Sequence, residues 1–132
     1  MDAFCKEEAI FASNTSSIPI TELAKFTKRP DRFIGMHFFN PVQLMNLVEI
    51  VVGEKTSDAV RKKITNLVMD IGKQSITVID SPAFVTSRLI MLMINEAIYC
   101  LYEKIASKED IDKAMKLGMN HPIGPLELAD LV

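Results

Sequence analysis

The feature that most constrains this chain is a change in its secondary-structure pattern close to residue 80. Before Asp80, short apolar runs rich in β-branched residues alternate with segments of helical periodicity, which is typical of α/β proteins. After Pro82, only helical periodicity is found. The sequence therefore predicts an α/β domain over residues 1–80, followed by an all-α domain over residues 81–132.

Local signals give approximate bounds for the individual elements. Prolines, glycines and capping serines or threonines separate the apolar runs. The predicted strands cover residues 9–12, 32–39, 48–52 and 75–79. The predicted helices cover residues 19–26, 57–71, 84–105 and 107–117, and Pro125 opens another. Residues 2–8 look like the end of a preceding helix.

Charge and hydropathy argue against two classes of partner. The chain of 132 residues has 15 lysines and arginines against 17 aspartates and glutamates, without a block of like charge. Because a basic patch is the usual footprint of nucleic-acid binding, no nucleic-acid partner is expected. The apolar segment 84–105 contains Arg88, Glu96, Glu103 and Lys104, which leave no run near the ~20 apolar residues that a bilayer needs. No membrane partner is expected either.

The cysteines indicate neither disulfides nor a metal site. Cys5 and Cys100 are far apart in the sequence, and neither has a second ligand at the spacing of a zinc site. The N-terminus lacks the basic region and apolar run of a signal peptide. We therefore expect a cytoplasmic protein without a bound metal.

His37 and Glu49 are the strongest candidates for chemistry. His37 lies in a predicted strand that runs into Asn40-Pro41, and Glu49 interrupts the apolar strand that follows. If the two strands are neighbours, the carboxylate can fix the imidazole tautomer and stabilise the imidazolium, an arrangement suited to proton transfer at an alcohol. A core histidine bonded to a backbone carbonyl and an edge-strand glutamate facing water are the alternatives, and composition does not decide between them.

A run of five polar residues, Ser13-Asn14-Thr15-Ser16-Ser17, follows the first predicted strand. In open α/β sheets, ligands bind at the carboxyl ends of strands, so this run is suited to presenting hydroxyls and an amide there. The alternative is a simple helix cap ahead of Pro19. The two roles are compatible.

Several of these segments resemble the 3-hydroxyacyl-CoA dehydrogenase family, including its short-chain 3-hydroxybutyryl-CoA members. The resemblance is carried by FASNTSS at residues 11–17, RFIGMHFFNPV at 32–42, LVE at 47–49, DSPAF at 80–84 and the stretch 117–125, all in family order. The most specific of them is His-Phe-Phe-Asn-Pro with a glutamate twelve residues after the histidine. The chain is identified as a member of this family.

The resemblance implies an oxidoreductase that uses NAD to interconvert 3-hydroxyacyl-CoA and 3-oxoacyl-CoA. His37 would exchange the proton of the substrate's 3-hydroxyl, and Glu49 would orient the imidazole. Ser16 would hydrogen-bond near the substrate oxygen and the nicotinamide, and Asn40 would contribute to cofactor binding at the same place. Ser87 stands where the family pattern has an active-site asparagine, so its hydroxyl has a shorter reach.

The same resemblance implies that the chain is an internal fragment. The family begins with a Rossmann unit containing Gly-x-Gly-x-x-Gly, and the five glycines of this chain never form that motif. The expected fold is thus the C-terminal part of a Rossmann-like NAD-binding domain plus the first helices of a helical substrate and dimerisation domain. Most of the NAD site would lie elsewhere, and we expect the isolated chain to be inactive or nearly so.

A second hypothesis is a non-catalytic, self-associating scaffold derived from the dehydrogenase and lacking cofactor binding. The retained His37 and Glu49 argue against a purely structural history. Under either hypothesis, an incomplete sheet and a long apolar helix leave apolar surface exposed, which favours self-association. We expect a homo-oligomer, a dimer or higher.

Overall fold

The computed structural model describes residues 2–131, which divide into two compact units between Val85 and Thr86. The first unit contains β1 (Phe11–Ser13), α1 (Ile20–Ala24), a short 3-10 helix (Pro30–Arg32), β2 (Phe33–Phe38), β3 (Leu47–Val52), α2 (Asp58–Asp70) and β4 (Gln74–Ile79). The second contains α3 (Thr86–Tyr102), α4 (Lys108–Gly118) and α5 (Pro125–Ala129). The predicted class, α/β followed by all-α, is confirmed. The domain limits drawn at residues 80 and 81 stay a prediction.

The four strands form one mixed sheet in the order β1-β2-β3-β4. β1 pairs with β2 in parallel, β2 with β3 antiparallel, and β3 with β4 in parallel. The antiparallel pair is possible because residues 39–46 form a short connection between β2 and β3. β2 and β3 are therefore the central strands, and four residues in succession are buried in each.

One face of the sheet packs against α2. Alternate residues of β2 and β3 point to this face, because side chains alternate along a strand. They form a core with helix residues spaced four apart, which is one helical stripe. The members of this core are Ile34, Met36, Val48, Ile50, Val60, Ile64 and Val68.

The ends of α2 follow from its sequence. The Ser57 hydroxyl accepts a hydrogen bond from the Val60 N–H and caps the first turn. Hydrogen bonds from Arg61 and Lys62 lower the pKa of the Asp58 carboxyl below its ordinary value of 3.8. Gly72, with a φ of 75°, ends the helix in the left-handed conformation that glycine adopts without strain.

The opposite face of the sheet packs against α1 and Phe84. Its buried core consists of Ile20, Val51, Val78 and Phe84. Gly35 lies opposite Val51 in the antiparallel register, and a Cβ at this position would approach the Val51 Cβ to 2.8 Å. Glycine is thus required there for β2, β3 and Ile20 to pack at this distance.

Two local expectations were wrong. Residues 2–8 form turns rather than the end of a helix, because the Arg29 guanidinium binds the Asp2 carboxylate and the carbonyls of Lys6 and Glu7, which a helix would use internally. The first strand begins at Phe11 rather than at residue 9, since pairing with β2 starts only there.

The long helix predicted from residue 84 begins at Thr86. Ala83 and Phe84 have φ values of 62° and 52°, which a right-handed helix does not allow. At its other end α3 stops at Tyr102, and Lys104 has a φ of 59°. Within residues 2–131, no helix combines the length and apolarity needed to cross a bilayer.

In the second unit, one capping interaction begins α4, and another joins α4 to α5. The Ser107 hydroxyl caps α4 by accepting from the Asp110 N–H, as the sequence predicts. Asp112 is buried on α4, and its carboxylate accepts hydrogen bonds from the N–H groups of Leu126 and Glu127 in the first turn of α5. A charge at this place complements the helix dipole and supplies the cap that Gly124 lacks.

Candidate active site around His37

His37 and Glu49 face each other across the β2–β3 pair. They are direct partners in the antiparallel register, so both side chains point to the same face of the sheet. His37 Nδ1 and Glu49 Oε2 are 2.6 Å apart, and the residues are 5% and 0% exposed. The alternatives of an edge-strand glutamate and of a histidine bonded to a backbone carbonyl are thus wrong, because β3 is a central strand and the imidazole is held by a carboxylate.

The second ring nitrogen of His37 points to Ser16. Ser16 Oγ lies 2.9 Å from His37 Nε2. In the neutral tautomer with its hydrogen on Nδ1, the imidazole donates to the Glu49 carboxylate, and Nε2 accepts from the serine hydroxyl. Ser16 itself is exposed, so this side of the imidazole is the one that a ligand can reach.

The loop that carries Ser16 is fastened to the sheet at both ends. At its start, the Asn14 amide oxygen accepts from the Phe38 N–H at 2.8 Å. At its end, the Asp80 carboxylate accepts from the N–H groups of Ile20 and Thr21 at 3.0 and 2.7 Å. The polar run after β1 is therefore more than a cap for α1, because it brings Ser16 to the histidine.

Two phenylalanines flank the imidazole. The centroid of the Phe39 ring lies 4.8 Å from that of His37, and the Phe84 ring meets it edge-on at 5.6 Å. Sequence reasoning did not assign a site role to either ring, although both belong to the motif stretches around residues 37–41 and 80–84. Their place in those stretches was the available signal. The two rings limit the access of water to the His37–Glu49 hydrogen bond.

The other two predicted site residues are Asn40 and Ser87. Asn40 is exposed just beyond β2, the Asn40–Pro41 peptide bond is cis, and within residues 2–131 the Asn40 side chain makes no hydrogen bond. Ser87 is the second residue of α3 and belongs to the second unit. Their roles stay predictions. Among residues 2–131 there is no group of three or more His, Cys, Asp or Glu side chains arranged to hold a metal ion.

Comparison with known families gives matches over nearly the whole chain. Residues 1–81 match the family model for the NAD binding domain of 3-hydroxyacyl-CoA dehydrogenase, and residues 84–132 match the model for its C-terminal domain. The fold expected from the resemblance, part of a Rossmann-like domain followed by the start of a helical domain, agrees with these matches.

Individual relatives are similar at high identity. The chain is 53% identical over 132 residues to a probable 3-hydroxybutyryl-CoA dehydrogenase of Bacillus subtilis, covering 100% of this chain and 46% of that protein. It is 48% identical over 133 residues to the human mitochondrial hydroxyacyl-coenzyme A dehydrogenase, covering 100% of this chain and 42% of that protein.

A solved structure of this family is similar over nearly the whole chain. The crystal structure of (S)-3-hydroxybutyryl-CoA dehydrogenase from Ralstonia eutropha matches with a TM-score of 0.96 and 56% identity, over 98% of this chain and 46% of that one. The chain thus spans about half the length of the curated relatives that it matches.

Proposed function

The chain belongs to the 3-hydroxyacyl-CoA dehydrogenase family, and we propose that it carries the proton-transfer part of an NAD-dependent enzyme that interconverts 3-hydroxyacyl-CoA and 3-oxoacyl-CoA. The observation that carries this proposal is the hydrogen-bonded line Glu49–His37–Ser16, which runs from a fully buried carboxylate to an exposed hydroxyl. The line leads from the interior of the sheet to its ligand-accessible edge, as general acid–base catalysis requires.

In the proposed oxidation, His37 removes the proton of the 3-hydroxyl through Nε2 while a carbonyl forms at C3. The imidazolium that results lies 2.6 Å from the Glu49 carboxylate, which stabilises its positive charge. In the reverse direction, the same nitrogen returns the proton to the oxygen of the 3-oxo group. General acid–base catalysis by a histidine held in this way contributes roughly 10²–10⁴-fold to the rate.

Ser16 occupies the position at Nε2 that the substrate hydroxyl takes when it binds. We propose that the serine hydroxyl then turns to hydrogen-bond the same substrate oxygen, since it stays within reach of it. Asn40, exposed beyond the end of β2, is proposed to contribute to the nicotinamide site. Ser87 is proposed to play the part of the family's active-site asparagine, with a shorter reach.

The residues at this edge fit a nicotinamide. β1 and β2 are parallel, so their carboxyl ends lie at the same edge, and the polar residues that follow each strand are found there. When bound, NAD would supply the acceptor for the hydride from C3, and Ser16 and Asn40 would hold its nicotinamide. Ser16 lies at His37 Nε2, and Asn40 follows β2 at the same edge of the sheet.

The proposed partners are an acyl-CoA thioester and further copies of this chain. Exposed apolar side chains on α3, among them Leu89, Leu92 and Tyr99, support self-association. Cys5 and Cys100 are both free, which supports a reducing compartment such as the cytoplasm.

The experiment that tests the function uses a chimera. In it the 132 residues of this chain replace the matching 132 residues of the Bacillus subtilis relative. We expect the chimera to oxidise NADH in the presence of acetoacetyl-CoA, followed by absorbance at the NADH band. A folded chimera without this activity would contradict the proposal and favour the non-catalytic scaffold.

Variants of the chimera test the roles of His37 and Glu49. His37→Gln is expected to lower kcat by roughly 10²–10⁴-fold, and Glu49→Gln to lower it in the same direction. The controls are the chain's other histidine and an exposed glutamate, as His121→Gln and Glu54→Gln, both expected to leave kcat within about twofold. Full kcat in His37→Gln would show that another group moves the proton.

A further inference from the structure

We propose that Asn14 is a positioning residue, which holds Ser16 at hydrogen-bonding distance from His37 Nε2 by fastening the loop to the backbone of Phe38. Only the expected effect of Asn14 on catalysis rests on the proposed function. The geometric coupling between Asn14 and His37 exists or fails independently of any reaction.

The first argument is where β1 stops pairing. The parallel register ends at Ser13 opposite Gly35, and Phe38 lies three residues further along β2. The Phe38 N–H is bonded by the Asn14 side-chain oxygen at 2.8 Å. An asparagine amide thus continues the hydrogen bonding of the sheet after the backbone of β1 has turned away, which is a common use of asparagine at chain turns.

The second argument is that two hydrogen bonds join the same short loop to two adjacent residues of β2. Asn14 bonds the residue that follows His37, and Ser16, two residues after Asn14, bonds the His37 side chain. The segment between them is short and is further tied by the Thr15 hydroxyl, which accepts from the Ile18 N–H at 2.9 Å. Without the bond from Asn14, the loop would be attached only through the Ser16–His37 bond itself and, at its far end, by Asp80.

The third argument is exposure. Asn14 is exposed and belongs to neither hydrophobic core. Replacing it therefore leaves the packing of the sheet intact, so that a change at His37 reports the lost hydrogen bond rather than unfolding.

The test uses nuclear magnetic resonance of the 132-residue chain without substrate. The ¹⁵N resonance of His37 Nε2 is measured at a pH at which the ring is neutral, and His121 serves as the internal reference. Ser16→Ala defines the shift caused by loss of the Ser16 bond. Asn14→Ala is expected to move the resonance in the same direction by at least half as much, and to speed exchange of the Phe38 amide roughly fivefold to tenfold.

Two further variants complete the test. Asn14→Asp retains an oxygen acceptor and is expected to restore protection of the Phe38 amide and most of the His37 signal. Asn66→Ala, an exposed asparagine on α2, makes the same chemical change elsewhere and is expected to move neither signal. A wild-type His37 resonance in Asn14→Ala would overturn the proposal, whether or not the Phe38 amide exchanges faster.

The chimera adds a kinetic measurement. There Asn14→Ala is expected to lower kcat roughly tenfold, with KM for acetoacetyl-CoA within about twofold, because misplaced groups reduce the rate more than binding. Loss of substrate affinity at full kcat would overturn a positioning role. An inactive chimera with the expected resonance shifts would refute the proposed function while the coupling of Asn14 to His37 stands.

Discussion

Ala83 has a backbone conformation that suits glycine better than alanine. Its φ of 62° lies in the left-handed region, which costs a residue with a Cβ roughly 1–2 kcal/mol. Phe84 has a φ of 52° and is nearly fully buried with its ring against His37. The turn at residues 83–84 therefore places an aromatic ring beside the imidazole at a cost in backbone energy, as is found at functional sites.

Replacing Ala83 by glycine is expected to relieve this strain. Ala83→Gly should raise the free energy of unfolding by about 0.5–1.5 kcal/mol, measured by urea denaturation. The control is Ala59→Gly within α2, where the same change should lower stability by up to about 1 kcal/mol. A decrease in stability in both variants would show that the turn is not strained at Ala83.

Between elements, the contact of α4 with α5 depends on a single glycine. The Asp112 carboxylate accepts from two N–H groups of α5, and a Cβ at Gly124 would lie 2.3 Å from Asp112 Cβ. Such a distance is impossible, so any larger residue must displace the carboxylate from the end of α5. The position requires glycine because of this approach and not because of its φ, which is −75°.

The prediction is a pair of opposite effects. Gly124→Ala should lower the free energy of unfolding by roughly 2–4 kcal/mol through loss of two charge-assisted hydrogen bonds. Gly118→Ala, at the end of α4 with no atom within 4 Å of the added Cβ, should raise it by up to about 1 kcal/mol. Thermal or urea unfolding distinguishes the two, and equal changes in both variants would contradict the role assigned to Asp112.

At the scale of the whole molecule, the main feature is a set of exposed apolar side chains on α3. Leu89, Leu92 and Tyr99 are 63%, 60% and 52% exposed, at spacings of three and seven residues that place them on one side of the helix. A stripe of this kind in water favours burial against a second copy of the chain.

We expect light scattering to show a dimer or higher oligomer at micromolar concentration. The double substitution Leu89→Glu with Leu92→Glu should weaken association at least roughly tenfold, because charges at the interface must be desolvated. Met69→Glu, an exposed apolar position on α2, should leave association unchanged. A monomeric wild-type chain would contradict the proposed self-association.

The sequence by itself determined the order and type of the main strands and helices from Phe11 onward, and it singled out His37 and Glu49 as candidates for proton transfer. The signals used were local: helical and strand periodicity, the capping residues Ser57 and Ser107, and Gly72 after α2. The ends that they predict lie within a few residues of the observed ones. The twelve-residue spacing between His37 and Glu49 is also a local signal, because only a short connection separates the two strands. It predicted that the two side chains can meet.

Tertiary structure alone decided which side chains meet. A shift of one residue in the β2–β3 register would turn Glu49 to the other face, and register depends on non-local packing of Val51 against Gly35 and Ile20. The same holds for Ser16 at the imidazole, for the rings of Phe39 and Phe84, and for the bond from Asn14 to the Phe38 backbone. All of these contacts except that of Phe39 join residues distant along the chain, and periodicity contains information only about neighbours in sequence.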